Sequence, residues 1–239
     1  MNYYSMENKD IESRIIDALS GVCPIFEVNG HKYTIYPKTL GKMYLFDRLR
    51  DEMGLNHEAM KENPLFEVLR VCKEERSRVL RMLAYATLHG KERVFDETLI
   101  QAKIKAFEEL NNSELATLML SLLMDNDLAD FTKHFKLDID DENRVRIARV
   151  KKSENTITFG GRSVWGTIID FACSRYGWTF DHVVWEISYI NLMMLYKDKA
   201  ETAYLNKDEV KKARLKSTEA VINADDPKNM EKIIKMFSN

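Results

Sequence analysis

The chain has few of the residues that form disulfides, bind metals or interrupt helices. Its 239 residues include three cysteines, four prolines and nine glycines. The cysteines, Cys23, Cys72 and Cys173, lie far apart, follow no metal-ligand spacing and have apolar neighbours. This pattern favours buried free thiols in a reducing compartment, so we expect a cytoplasmic protein without a metal or other cofactor.

An excess of charge and a long hydrophobic run are also lacking. Lysine and arginine number 36 and aspartate and glutamate 38, which gives a net charge of -2 and no general attraction to polyanions. The most apolar run, residues 183–196, contains Glu186 and Asn191 and is too short to span a bilayer. We therefore expect neither nucleic acid nor a membrane as a partner.

What the chain does have is an apolar stretch, residues 163–198, that contains all three tryptophans. It reads as two helices separated at Tyr176-Gly177-Trp178, because Gly177 can close the first helix in a left-handed conformation and Thr179 can cap the second. We expect Trp178 and Val183 to form a hydrophobic staple. The second helix, predicted from Trp178 to Tyr196, is apolar over most of its circumference, which implies burial in the fold or against a second molecule.

Large apolar side chains of this second helix are the candidate partner-binding residues. They combine aromatic anchors with an adaptable thioether, the types that dominate protein interfaces. The candidates are Trp178, Phe180, Trp185, Tyr189 and Met193. The partner is either another protein or a second copy of the chain in a homo-oligomer.

Near the N-terminus, Asn29-Gly30 separates two short alternating segments. This dipeptide supplies the positive φ angles of a two-residue type I′ turn, so we predict a β-hairpin that pairs Phe26 and Val28 with Tyr33 and Ile35.

Helix signals follow the hairpin. Thr39 and Asn63-Pro64 are predicted to begin helices. The helix after Pro64 either runs to His89 or breaks at its polar middle, residues 73–78. Asp96 is predicted to cap a helix from 97 to 110, and Ser113 another from 114 to 124. The resulting fold class is mainly α, a helical bundle with a small N-terminal β-hairpin.

Residues 138–162 change in character from an acidic run to a basic, roughly alternating one. They predict either a second hairpin, with strands near 145–147 and 157–159, or an extended linker. The predicted organisation is therefore a hairpin plus bundle in 1–137, a linker or hairpin in 138–162, and the apolar helical hairpin with tail helices in 163–239. The tail helices are predicted from Asn206 to about Val221 and from Asp226-Pro227 to about Phe237.

Sets of residues that suggest catalysis have simpler structural interpretations. His182 and Glu186 are four residues apart but lack a third metal ligand, and Cys173 with His182 lacks a recognisable oxyanion hole. Gly160-Gly161 has no P-loop lysine after it. We therefore predict that the protein is not an enzyme.

The two helices around Gly177 also have the length of a DNA-binding helix-turn-helix. The second helix carries no lysine or arginine between Phe180 and Tyr196, whereas a recognition helix needs donors for bases and phosphates. DNA binding is therefore not expected.

The segment YGWTFDHVVWEISYINLMMLYKD resembles the C-terminal part of the tail assembly chaperones of tailed phages and prophages, in which a Tyr-Gly-Trp turn leads into an apolar helix. The segment FEVNGHKYTIYPKTLGKMYLFDRL is similar to the opening of such proteins. The resemblance implies a non-enzymatic helper, in the host cell cytoplasm, that coats the apolar tape measure protein until tail tube subunits replace it. The alternative is a structural subunit of a virion or mobile element that acts through the same helical contacts.

Overall fold

The computed structural model describes residues 11–124, 127–151 and 160–215. The protein is mainly helical, with a small antiparallel hairpin near the N-terminus, which confirms the predicted fold class. By their contacts the residues group into two compact units, Met1–Phe131 with Phe159–Lys199 and Thr132–Thr158 with Ala200–Asn239. No helix within the described ranges is long and apolar enough to cross a bilayer.

The described residues form two short strands and a series of helices. In chain order they are α1 (Ile11–Ser20), β1 (Ile25–Val28), β2 (His31–Thr34), α2 (Leu40–Glu52), α3 (His57–Glu62), α4 (Pro64–Glu74), α5 (Arg76–Ala86), α6 (Lys91–Val94), α7 (Glu97–Phe107), α8 (Asn112–Leu123), α9 (Asp127–His134), α10 (Leu137–Val150), α11 (Val164–Tyr176), α12 (Phe180–Trp185), α13 (Tyr189–Lys197) and α14 (Lys207–Ala213).

The N-terminal hairpin forms where the Asn-Gly turn predicts it. Phe26 pairs with Tyr33 and Val28 with His31, and the turn residues Asn29 and Gly30 have φ angles of 50° and 79°. The positive angles are those that a type I′ turn requires. The predicted hairpin is therefore confirmed, although Ile35 lies just beyond the end of β2.

Side-chain caps fix the starts of several helices. The side-chain oxygen of Thr39 accepts a hydrogen bond from the amide of Lys42, and that of Asn63 accepts one from Phe66. Asp96 accepts bonds from the amides of Thr98 and Leu99 in the same way. Each of these caps was predicted from residue type, because its oxygen satisfies an amide that the first helical turn leaves without a partner.

The polar segment after Pro64 is a break between α4 and α5 and not the middle of one long helix. Arg76, at the start of α5, donates to the carbonyls of Glu108 and Leu110 at 2.9 and 2.5 Å and to the side chain of Asn112 at 2.8 Å. Arg76, at the break, thus holds the turn between α7 and α8.

The start predicted for α8 is wrong by two residues. Asn111 and not Ser113 is the cap, and it forms a capping box with Glu114, whose carboxylate accepts from the Asn111 amide at 2.9 Å. Asparagine and serine are about equally good caps, and the reciprocal bond to Glu114 selects Asn111.

The larger core, which we call the bundle cluster, joins the hairpin to α2, α4, α5, α7 and α8. Aromatic rings connect the hairpin to α7, because Phe107 lies 5.5 Å from Phe26 and 4.9 Å from Tyr33 between ring centroids. Other fully buried members come from α4, α5 and α8, namely Val68, Val71, Cys72, Val79, Met82, Leu83, Leu115, Leu118 and Met119.

The predicted strand at 145–147 is wrong, since these residues belong to helix α10. Acidic residues occupy the first turn of α10 and Arg149 its last turn, an order that complements the helix dipole. Arg144 also pairs with Asp141 three residues earlier, at 3.0 Å, as neighbours on one helix face do. The second strand of that predicted hairpin, 157–159, lies outside the described residues.

In the second unit, α10 packs against α14. Asn206 caps α14 as predicted, and Glu209 completes a capping box. The helix ends at Ala213, where Arg214 adopts a left-handed conformation with φ of 45°. Residues 216–221 of the predicted helix lie outside the described residues. The predicted last helix, from Asp226-Pro227, lies outside the described residues.

Candidate partner-binding surface

The turn between α11 and α12 has the predicted geometry. Gly177 adopts the left-handed conformation, with φ of 67°, and its amide donates to the carbonyl of Cys173 at 3.0 Å. The hydroxyl of Thr179 accepts from the amide of His182 at 3.2 Å and caps α12. The turn is therefore set by local sequence, as the Tyr-Gly-Trp-Thr pattern predicted.

The single helix predicted from Trp178 to Tyr196 is wrong, because it is divided into α12 and α13. Ser188 caps α13 by accepting from the amide of Asn191 at 3.2 Å. The first amide of α13, that of Tyr189, donates at 2.6 Å to the carbonyl of Lys38, which precedes α2. A serine cap and a long-range hydrogen bond thus replace the continuous helix.

Helices α11 to α13 have a core of their own, which we call the α11–α13 cluster. Its buried members are Leu40, Ile168, Ala172, Val183, Leu192 and Met193. Leu40 comes from α2, so the helical hairpin buries part of its apolar surface against the bundle helices. The breadth of its apolar surface is therefore explained in part by the fold of the same chain.

The candidate residues do not share one face. Met193 is buried, with 8% of its surface exposed, whereas Phe180 is 60% exposed. Trp178 is half-buried at the edge of the α11–α13 cluster and stacks on Tyr176 with ring centroids 4.7 Å apart. Tyr189 is also half-buried, 6.3 Å from Trp165, and burial raises the pKa of its hydroxyl.

Trp185 contacts both the backbone of α2 and an exposed phenylalanine. A Cβ atom at Gly41 would lie 2.5 Å from Cε3 and from Cη2 of the Trp185 ring, so glycine is required for this approach. On its other side Trp185 meets Phe95 edge-on, with centroids 5.1 Å apart, and Phe95 is 58% exposed. We refer to Phe95 and Trp185, together with the exposed Phe180 at the start of α12, as the α12 surface.

Sequence reasoning missed both Gly41 and Phe95. An isolated glycine inside a helical pattern often marks a close approach of another group, and this was the available signal for Gly41. Phe95 directly precedes the Asp96 cap, where an apolar side chain is common, but nothing local indicates that it meets Trp185.

Polar pairs lie beside the α12 surface. Lys91 pairs with Asp181 at 2.9 Å, and Nε2 of His89 lies 3.1 Å from the carboxylate of Glu186. Glu186 thus has His89 as its neighbour, and His182 lies edge-on to Trp178 with centroids 5.5 Å apart. Among the described ranges, no group of three or more histidine, cysteine, aspartate or glutamate residues is arranged to hold a metal ion.

Comparison with protein-family models, with characterised proteins and with solved structures gave no match for this chain.

A buried lysine, Lys42, lies in the first turn of α2, next to Gly41. Lys42 is 1% exposed, and its ammonium donates to the carbonyls of Tyr36, Pro37 and Ala86 at 3.3, 3.4 and 3.4 Å. Ala86 is the last residue of α5, where carbonyl dipoles favour a cation. Burial nevertheless dominates and lowers the pKa of Lys42 to about 7. Its bonds join the segment after β2, the C-terminus of α5 and the start of α2.

Proposed function

We propose that this protein binds apolar helical segments of another protein through the α12 surface and thereby masks them from solvent and from one another. The supporting observations are the exposure of Phe180 at the start of α12 and that of Phe95, which lies edge-on to the partly buried ring of Trp185. Aromatic side chains in this setting anchor interfaces, because they lose much water-accessible apolar area and little conformational freedom on binding.

The client that we propose is the tape measure protein of a phage or prophage tail. Its long apolar helices are uncovered until the tail tube surrounds them. They therefore need a protein that covers them in the host cytoplasm. The resemblance of residues 26–49 and 176–198 to tail assembly chaperones supports this choice of client. The proposed action is reversible coverage, and it requires no chemical step.

The test is co-expression with a phage tape measure protein, followed by affinity capture. Wild-type protein should retain the tape measure protein, and Phe180→Ser should lose it. Because Phe180 is 60% exposed, the substitution should leave folding nearly unchanged. Equal capture by the variant and by the wild type would contradict the role of the α12 surface.

Phe66 offers a matched control for the loss of one exposed phenylalanine. It lies on α4 and is 69% exposed, and it contributes to neither the α12 surface nor the α11–α13 cluster. Phe66→Ser should therefore retain the client. If both serine variants lose it equally, general surface hydrophobicity and not the α12 surface is responsible.

The structural-subunit alternative makes a different prediction about the finished particle. A chaperone is displaced when the tail tube assembles, whereas a subunit stays. Quantitative mass spectrometry of purified particles should therefore find the tube protein without stoichiometric amounts of this chain. Its presence at fixed stoichiometry would favour the subunit.

A further inference from the structure

Aromatic rings from α11, α13 and the turn after α11 form a continuous row. Phe171 meets Tyr196 on one side and Tyr176 on the other, with ring centroids 5.3 and 5.9 Å apart. Tyr176 in turn stacks on Trp178 at 4.7 Å. Tyr176 is 36% exposed and the other three rings are partly buried, so the row lies at the surface. We call these four residues the aromatic row.

Two cations lie over rings of the aromatic row. Cζ of Arg175 is 5.9 Å from the ring centroid of Phe171 and 6.0 Å from that of Tyr176. Nζ of Lys199 is 5.8 Å from the ring centroid of Phe171 and 5.0 Å from that of Tyr196. The negative face of an aromatic ring attracts a cation at such distances. The rings therefore hold positive charge at defined positions along the row.

Arg175 keeps its hydrogen-bonding capacity in this arrangement. It is exposed in the last turn of α11, and it contacts rings but pairs with no carboxylate in the part of the chain that the structure describes. A guanidinium can stack on an aromatic face and at the same time donate two parallel hydrogen bonds to a carboxylate. Arg175 is therefore available to a carboxylate of another molecule.

Contact with the rings also reduces the cost of such a pairing. Exposed ion pairs usually contribute little, partly because long side chains lose freedom when they pair. Arg175 already lies against two rings, so part of this freedom is lost before a ligand binds. Next to it, the rings of Tyr176 and Trp178 offer apolar area that a ligand can cover. A carboxylate with an apolar side chain beside it matches both features.

An acidic peptide fits the aromatic row better than single-stranded nucleic acid does. Bases stack on free aromatic faces, but Tyr176 and Trp178 already stack on each other. The cations occupy a face of Phe171 and of Tyr196 in the same way. A nucleic acid strand would also bring a phosphate with every nucleotide, whereas two cations lie on the row.

We infer that the aromatic row binds an acidic segment of a partner protein, with a carboxylate on Arg175 and apolar side chains against Tyr176 and Trp178. Lys199 adds positive charge on the Tyr196 side of Phe171. The inference goes beyond the proposed function, because it concerns a different surface from the α12 surface. It also assigns a charge to the ligand, which the proposed function does not.

Two synthetic peptides that differ only in charge test this preference. One carries two leucines and two glutamates among serines and glycines, and the other has glutamine in place of both glutamates. By fluorescence anisotropy at low salt, the wild type should bind the glutamate peptide about three- to fivefold more tightly, as expected for an exposed charge pair. The difference should shrink at about 0.5 M salt, because salt screens it. Equal affinities, or no binding of either peptide, would overturn the inference and leave the α12 surface untested by this result.

Substitution of Arg175 locates the preference. Arg175→Gln should bind both peptides alike, whereas Arg175→Lys, which keeps the charge, should retain part of the preference. Arg48→Gln is the matched control, because Arg48 is 68% exposed on α2, outside the aromatic row, and its loss changes the net charge equally. It should prefer the glutamate peptide as the wild type does. If Arg175→Gln keeps the preference, or both glutamine variants lose it equally, Arg175 is not the binding group and the inference is wrong.

Cross-linking of the wild type gives the decisive result if Arg175→Gln fails to fold, as judged by circular dichroism. Carbodiimide joins a carboxylate to a nearby lysine amine, so bound glutamate peptide should couple to Lys199. Lys61, which is 73% exposed on α3, is the reference for random coupling. Mass spectrometry should find coupling at Lys199 several-fold above that at Lys61. Equal coupling at the two lysines would show that the peptide does not bind at the row.

A competition experiment distinguishes the two kinds of ligand. Excess oligothymidylate should leave the anisotropy of the bound glutamate peptide unchanged, because the row offers few cations to a phosphate backbone. An oligothymidylate that displaces the peptide and binds more tightly than it does would assign the aromatic row to nucleic acid and overturn the inference.

Discussion

The Trp185 ring lies directly against the backbone of Gly41, at the second residue of α2, and any side chain at position 41 would occupy the space of that ring. The glycine is buried within the helix, where this residue type is otherwise unfavourable. Close approach of an aromatic ring from α12 provides the physical reason for it. The pair links two segments that are far apart in sequence.

Gly41→Ala should therefore destabilise the protein even though alanine is the better helix former. Helix propensity alone would stabilise by about 1 kcal/mol, but overpacking against the ring should cost about 1 to 3 kcal/mol. Gly166→Ala, in α11, has no such conflict and should be neutral or slightly stabilising. Urea denaturation of both variants measures the difference. If the two variants are equally stable, the Trp185 ring does not need a glycine at position 41.

The hairpin turn offers a test of backbone strain without steric conflict. Gly30 has φ of 79°, and a Cβ atom there would meet nothing within 4 Å. Gly30→Val should cost about 1 to 2 kcal/mol, because a β-branched residue is strained at this angle, whereas Gly30→Asn should cost less. The two melting temperatures should rank in that order. Identical melting of the valine variant and the wild type would disprove the assigned turn.

Local chemistry accounts for the elements that sequence predicted well. The Asn29-Gly30 turn and the cap at Thr39 depend on interactions within a few residues, and so does the left-handed close at Gly177. The break at Ser188 was also encoded locally, but the apolar pattern around it favoured one continuous helix. In α10, the alternation of Val145 and Ile147 suggested a strand. The acidic run followed by a basic one was interpreted as a boundary, but in a helix this order complements the helix dipole.

Contacts between distant segments were beyond sequence reasoning. Nothing near Trp185 indicates that its ring meets Gly41, and nothing near Phe95 indicates that it lies against Trp185. A single sequence reveals which residues are apolar but not which partner each one finds. For this reason the candidate residues were chosen as one set, although the structure divides them between buried and exposed positions.

Lys42 should make stability depend on pH above neutrality. Burial lowers its pKa to about 7, whereas the unfolded chain keeps the usual value of about 10.4. Between pH 7 and 9 the unfolded state therefore holds a proton that the folded state lacks, and stability rises with pH. The rise amounts to at most about 2 to 3 kcal/mol, at about 1.4 kcal/mol for each pH unit. Below pH 7 both states are protonated and this contribution to the slope disappears.

Lys42→Met removes this titration and should flatten the rise between pH 7 and 9. The slope is the proper measurement, since the substitution also leaves the carbonyls of Tyr36 and Pro37 without their donor. Lys61→Met is the control, because Lys61 is 73% exposed and should leave the slope unchanged. Chemical denaturation at closely spaced pH values measures both. A slope in Lys42→Met that matches the wild type would show that Lys42 keeps its proton throughout this range.

Stability and client binding should respond in opposite ways to substitutions at Met193 and Phe180. Met193 is 8% exposed within the α11–α13 cluster, so Met193→Ala should cost about 2 to 5 kcal/mol of stability by leaving a cavity. Phe180 is 60% exposed, and Phe180→Ala should change stability by less than about 0.5 kcal/mol while weakening capture of the tape measure protein. Trp185→Ala should reduce both, because its ring contacts α2 on one side and Phe95 on the other. Denaturation and affinity capture on the same preparations compare the three. If Phe180→Ala binds normally and the folded fraction of Met193→Ala does not, the binding surface lies on the Met193 side of α13 and not on α12.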